Sequence, residues 1–245
     1  MDCTAFPGLN TVTTASLVSG YRALVLGGGG AIGAALVQAL QADARCAQVA
    51  SVSRRDDARL DWRQPDLASV ALAEWAAQGP WDVVIDATGA LTVDGRGPDK
   101  RLAELTPEAL TALWQINAMG PALAMRALMP ALAKGRRVMY AKLSARVGSI
   151  EDNHKGGWMA YRSAKAALNQ MLQTAAIELA RQRPLAVVAA LQPGTVASDL
   201  SAPFVAAHQA LSPQTSAAGL WAALDALPAT GRAHFVDYRG QAIPW

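Results

Sequence analysis

The sequence predicts a single doubly wound α/β domain with six or seven parallel strands flanked by helices. Three observations carry that expectation. Short apolar runs alternate along the chain with alanine-rich amphipathic stretches of ten residues or more, the pattern of a parallel sheet covered on both faces. A glycine run, Gly27 to Gly30, separates the first apolar run from the first helical stretch. The 245 residues show no composition break, repeat or low-complexity segment, and 52% of them are hydrophobic, enough for one large core.

Residues 1–20 lack the basic start and apolar centre of a signal peptide, so they read as a poorly ordered tail before a domain spanning 21–245. Ala23 to Leu26 is the first strand, and Ala31 to about Ala42 the first helix. Val49 to Val52 is the second strand, with a short strand expected near Leu60, a helix over Leu67 to Ala77 and a strand over Val83 to Ile85. Thr106 suits an N-cap, with Pro107 at the first helical position. That helix is expected to pass Asn117 and break near Gly120-Pro121. Arg137 to Leu143 is the next strand, followed by a long helix from about Trp158 to Arg181 that ends before Pro184. Ala186 to Leu191 reads as a strand buried on both faces, and one more helix and strand close the chain. The Pro/Ser-rich segment 199–213, which includes His208, is expected to be a loop over the site.

Composition excludes several classes. There are 22 Lys+Arg against 19 Asp+Glu, a net charge of +3, and the basic pairs Arg54-Arg55, Lys100-Arg101 and Arg136-Arg137 are dispersed. Without a basic stripe or interleaved aromatics, nucleic acid is not an expected partner, and an anionic small molecule is. The long uncharged stretches contain Pro, Gly, Asn or Gln, so no membrane span is expected. Two cysteines and three isolated histidines support neither a disulfide framework nor a metal site, and a reducing cytoplasm is the expected setting.

Leu26-Gly27-Gly28-Gly29-Gly30-Ala31-Ile32-Gly33 follows the first strand and opens the first helix. Backbone without Cβ atoms approaches a pyrophosphate closely, and the free N–H groups of a helix start favour that anion, which makes this a Rossmann-type cradle. Two alignments stay open: Gly28, Gly30 and Gly33 match G-x-G-x-x-G, while Gly27, Ala31 and Gly33 match G-x-x-x-G-x-G with alanine in the middle. After the second strand come Ser53-Arg54-Arg55 with no acid to bind ribose hydroxyls; arginine there suits the 2′-phosphate of NADP, with NAD still possible. Tyr161-Arg162-Ser163-Ala164-Lys165 puts a phenol and an ammonium four apart at the start of a helix, on one face.

Together these residues resemble the short-chain dehydrogenase/reductase family over essentially 21–245. The glycine run, Asp86-Ala87-Thr88-Gly89 in place of the family's Asn-Asn-Ala-Gly, Asn117, Tyr161-x-x-x-Lys165 and Pro193-Gly194-Thr195-Val196 occur in family order. Val147-Gly148-Ser149-Ile150, Gly156-Gly157-Trp158 and the ending Asp237 to Trp245 are similar to the branch of C-factor-like and sniffer-like carbonyl reductases. The resemblance implies hydride transfer between NADP(H) and a small carbonyl or alcohol, with Tyr161 as general acid. It further implies that Lys165 holds the nicotinamide ribose and that Asn117 anchors a water leading from Lys165 to solvent. Moving a phenol from about pH 10 to about 7 takes roughly 4 kcal/mol of extra phenolate stabilisation, which Lys165 and an oxidised nicotinamide could supply.

By the same resemblance, cofactor contacts fall to Gly27, Gly28, Gly30, Ala31, Ile32 and Gly33, to Arg54 and Arg55, and to Asp61 near the adenine. Ala87, Thr88, Gly89, Lys165, Pro193, Gly194, Val196 and Ser198 complete the set. Asp86 is expected to hold N–H groups of its own loop. The family serine, three residues before a glycine, falls on Ala145 when counted from Gly148. Ser144 is one residue early and serves only if the strand has ended or bulged there; Ser149, or no serine at all, are the alternatives. The resemblance also implies a homodimer or homotetramer through the helices that carry Asn117 and Tyr161. The contrasting reading is a cofactor-binding regulatory or signalling protein with little turnover, which the C-factor likeness and Ala145 permit.

Overall fold

A computed structural model describes residues 16–57, 59–198 and 210–245. In chain order the elements are β1 (Tyr21–Leu26), α1 (Ala31–Ala42), β2 (Cys46–Val52), α2 (Pro65–Ala77), β3 (Val83–Asp86), α3 (Pro107–Trp114), α4 (Gly120–Leu128), β4 (Val138–Leu143), α5 (Met159–Ala180), β5 (Ala186–Gln192), α6 (Pro213–Ala226) and β6 (Ala233–Asp237). The strands form one parallel sheet in the order β2-β1-β3-β4-β5-β6. The order reverses between β1 and β3, and the crevice outside the carboxyl ends of those strands is where such sheets bind ligands.

Side-chain alternation divides the core. Leu24, Leu26, Val84, Tyr140 and Val188 point to the layer of α2, α4 and α5, while Val25, Ile85, Met139, Ala141 and Val187 point to the layer of α1 and α6. Every residue of β3 and β4 is buried, as strands covered on both faces require. No described helix is long and apolar enough to cross a membrane, and no group of three or more metal-ligating residues is found among the described residues.

Three expectations need correction. No strand forms near Leu60 among the described residues, and the sheet has six strands. There the backbone is taken up locally: Asp57 accepts from the Arg59 N–H and Asp61 from the Arg63 N–H, each at 3.0 Å, and such Asx contacts compete with a strand ladder. Of the expected tail, residues 1–15 lie outside the described part, but Leu17 is 2% exposed in the α1/α6 core layer and Ser16 bonds the Asp225 carboxylate, so packed chain begins before residue 21. The helix through Asn117 does not break at Gly120-Pro121. A π-helical segment, Gln115–Met119, joins α3 to α4, with the Gly120 N–H reaching the Gln115 carbonyl five residues back. Pro121 has no N–H to give, and the widened turn lets the chain pass it without a kinked end.

Candidate active site

The glycine turn sits between β1 and α1 as a backbone-only wall. Gly27 has φ +83°, and a Cβ on it would lie 3.0 Å from the Ala87 carbonyl carbon and the Thr88 nitrogen. A Cβ on Gly33 would stand 2.1 Å from the Gly27 oxygen. Both positions require glycine, and a Cβ on Gly28 would meet the Ser51 hydroxyl, so the turn admits no side chain at these points of either alignment. Gly30 caps α1 without any side-chain hydrogen bond, and no acid stands in the first turn. Ala31, Ile32 and Gly33 thus open a helix whose positive end has no anionic partner of its own, which fits a pyrophosphate.

A crevice of about 730 Å³ opens beside this turn, bringing together Gly27, Gly30, Arg54, Arg55, Asp61, Ala87, Thr88 and Gly89. Arg54 is largely exposed and reaches Asp61 at 3.8 Å. Asp61 is 8% exposed, and Arg63 grips it with an Nη2 contact of 2.7 Å and Nε contacts of 3.1 Å. Arg63 holds this carboxyl below the usual range, so Asp61 is an ionised, neutralised acid inside the crevice.

Tyr161 and Lys165 stand on α5, outside the lining of that crevice. Lys165 is 2% exposed and donates to the Leu143 carbonyl, the end of β4, at 3.1 Å. Its ammonium lies 5.6 Å from the centroid of the Tyr161 ring, and a Cβ on Gly89 would come within 3.7 Å of it. Burial, reinforced by the charge of Lys142 and opposed by Asp86, pushes Lys165 down to about 7. Burial also pushes the Tyr161 phenol up, so the chain by itself, without an oxidised nicotinamide, does not lower it; the Lys165 ammonium faces the ring. Asn117 is fully buried and spends its amide on backbone, donating to Ala90 O at 2.8 Å and Leu113 O at 3.1 Å and accepting from Ala90 N at 3.2 Å. The π segment therefore ties down the loop beside Gly89.

A family model described as short chain dehydrogenase matches residues 59–209, more than half of the chain. The chain belongs to the short chain dehydrogenase family. Among its relatives, C-signal of Myxococcus xanthus is 31% identical over 175 residues, covering 71% of this chain and 99% of that one. The 1-hydroxy-2-glutathionyl-2-methyl-3-butene dehydrogenase of Rhodococcus sp. (strain AD45) is 30% identical over 164 residues, 67% of this chain and 68% of that one. The solved structure of the carbonyl reductase Sniffer of D. melanogaster superposes with a TM-score of 0.77 at 22% identity, covering 94% of this chain and all of that one, a likeness of fold.

In this short chain dehydrogenase neither candidate serine presents a free hydroxyl. Ser144 extends the strand ladder, its N–H donating to Leu191 O at 2.8 Å; its side chain is 4% exposed and donates to Asn169 Oδ1 at 2.7 Å. β4 ends at Leu143, so Ser144 lies just past the strand, and its hydroxyl is engaged by Asn169. Ser149 accepts from the Asp152 N–H at 3.0 Å and contacts the Trp245 oxygen. Pro193, Gly194, Val196 and Ser198 follow β5, outside the lining of the 730 Å³ crevice; Val196 is 4% exposed and bridges to Leu211. Of the segment 199–213, residues 199–209, including His208, lie outside the described part.

Asp86 does hold its loop, accepting from the Thr88 N–H at 2.9 Å. It also carries a partner that sequence reasoning missed: Lys142, 1% exposed, whose ammonium contacts Asp86 Oδ1 at 2.8 Å, Thr88 O at 2.6 Å and Thr88 Oγ1 at 3.1 Å. The available signal was a lone lysine inside an otherwise apolar run, Val138 to Leu143. Asp99 was missed as well. From a loop sixty residues upstream it accepts the Met159 N–H at 2.6 Å and the Ala160 N–H at 3.1 Å, closing the start of α5.

Proposed function

We propose that the chain is an NADP-preferring carbonyl reductase or alcohol dehydrogenase in which Tyr161 exchanges a proton with the substrate oxygen. The observation that carries this reading is Lys165. Among the described residues it has one acceptor, so two of its three N–H donors remain to hold a ribose hydroxyl and to stabilise the phenolate. When bound, the cofactor would supply or accept the hydride. Arg54 and Arg55 bind the 2′-phosphate, and Arg63 keeps Asp61 from repelling it. Support for NADP comes from the fit of these arginines and from the structural neighbour of Burkholderia multivorans described with bound NADP, TM-score 0.73.

The test is NADPH oxidation with a panel of aldehydes, ketones and quinones, in the parent chain and in Tyr161→Phe. Turnover in the parent and its loss in the variant support the reading. No turnover across the panel despite tight NADPH binding overturns it in favour of a second one. That second reading, a cofactor-binding signalling protein, is favoured by the relative named C-signal and by the engagement of both serine hydroxyls inside the chain.

The assembly proposed is a two-fold dimer or a tetramer. Trp114, Met119, Ile150 and Met159 stand exposed on or near α3 and α5, and Trp114, Ile150 and Met159 line a cavity of about 960 Å³ against the outer face of α5. Light scattering at micromolar concentration checks it, and a monomer would reject it without touching the chemistry.

A further inference from the structure

The two buried lysines at the carboxyl end of the sheet are differently provided for. Lys142 has three acceptors for its three N–H donors, one of them the Asp86 carboxylate. The Thr88 hydroxyl is equally occupied: it donates to Asp86 Oδ1 and accepts from Lys142 and, at 3.0 Å, from the Trp62 indole N–H. Lys165 has its single carbonyl. Between the two lysines runs the turn Thr88-Gly89: Lys142 holds Thr88, and Gly89 faces the Lys165 ammonium.

We propose that Lys142, bound to Asp86 and to both oxygens of Thr88, is a positioning residue for Lys165: it fixes the turn against which the Lys165 ammonium rests, and its charge sets the pH range over which Lys165 keeps its proton. This rests on the reading of Tyr161 and Lys165 given above. Burial holds the Lys142 ammonium below its ordinary value against the opposing pull of Asp86, and its three acceptors, one of them ionised, favour the charged form. The groups that face Lys165 are the Tyr161 phenol one turn earlier on α5, Lys142 on β4, Asp86 on β3 and the neutral amide of Asn117. Of the two charges, Lys142 acts more strongly on Lys165 than Asp86 does. Removing the pair together therefore makes the Lys165 proton harder to lose.

The experiment is the pH profile of kcat/KM for carbonyl reduction in the parent and in the double variant Asp86→Asn with Lys142→Gln, which leaves no unpaired buried charge. Activity falls as pH rises through the Lys165 titration, and in the double variant this limb should move up by about one pH unit. A limb that stays in place while Tyr161→Phe is inactive overturns this proposal alone. Lysine side-chain ¹³Cε resonances of the unmodified chain, assigned with Lys165→Met, give a measurement that needs neither turnover nor a folded double variant. One lysine titrating near 7 and a second keeping its charge well above that support the proposal. Both titrating together near the ordinary value overturn it. A chain that reduces nothing yet shows the split titration sinks the reductase reading and leaves the electrostatic one standing.

Discussion

At the end of β1 the crevice is built from backbone and exposed guanidinium groups, whereas at the end of β4 it is built from side chains that are almost wholly buried. The first region works by leaving things out: glycines without Cβ atoms, a helix start without a side-chain cap, and a largely exposed Arg54 held only by a 3.8 Å ion pair to Asp61. The second works by close satisfaction. Lys142, Thr88, Asn117 and Ser144 spend their polar atoms on neighbouring side chains or backbone, Asp86 keeps one buried oxygen, Oδ2, without a partner among the described residues, and Lys165 has donors to spare. Affinity should thus be dispersed over replaceable contacts at one end, and chemistry concentrated in a few irreplaceable atoms at the other.

The sharpest break in that contrast is Tyr161→Phe. It should lower kcat/KM about a thousandfold, within the usual range for a lost proton donor, while NADPH affinity by equilibrium titration stays within twofold because the ring still packs against Trp158. A parallel loss of binding would show that the two ends are not separable. Next comes Gly33→Ala, whose methyl group meets the Gly27 oxygen. Overpacking of this kind costs about 1–3 kcal/mol, and both the denaturation midpoint and NADPH affinity should fall.

Arg54→Ala combined with Arg55→Ala should be milder still for the protein and specific for the ligand. Losing charge-assisted bonds to a phosphate, worth about 2 kcal/mol, should cut the preference for NADPH over NADH by about thirtyfold and leave NADH binding unchanged. Equal affinities in the parent chain would remove the 2′-phosphate assignment.

The smallest effect is one of pH on stability. Lys165 is held at about 7 in the folded chain against an ordinary 10.5. Between those values the unfolded chain binds the extra proton, so stability should rise with pH; below 7 both states are protonated and the burial cost is present in full. The gain between pH 7 and 9 is about 2 kcal/mol in the cofactor-free protein. Thermal denaturation should show this rise, and Lys165→Met should flatten it.

Legibility in the sequence followed the same division. The cradle could be read because strand, turn and helix start lie within a dozen consecutive residues, and Tyr161 and Lys165 because four residues along a helix place two side chains on one face. Lys142 could not be paired by reading, since its partner Asp86 is 56 residues away and comes alongside only through the register of β3 with β4. Ser144 could not be placed by counting along the chain, since its hydroxyl meets Asn169, 25 residues away on α5. The strand expected near Leu60 was lost to two aspartates whose local contacts the apolar pattern does not report.

The Asp99 carboxylate gives the start of α5 an unusual dependence. Trp158 enters the helix at φ +56°, and the first two amides find their acceptor not in a neighbouring residue but in a loop sixty residues upstream. Exchange of the Met159 and Ala160 amide protons with deuterium is therefore governed by undocking of that loop, and not by fraying of the helix. Two backbone positions beside Tyr161 would act as a clock for the release of that loop, readable in the resting protein without substrate or label.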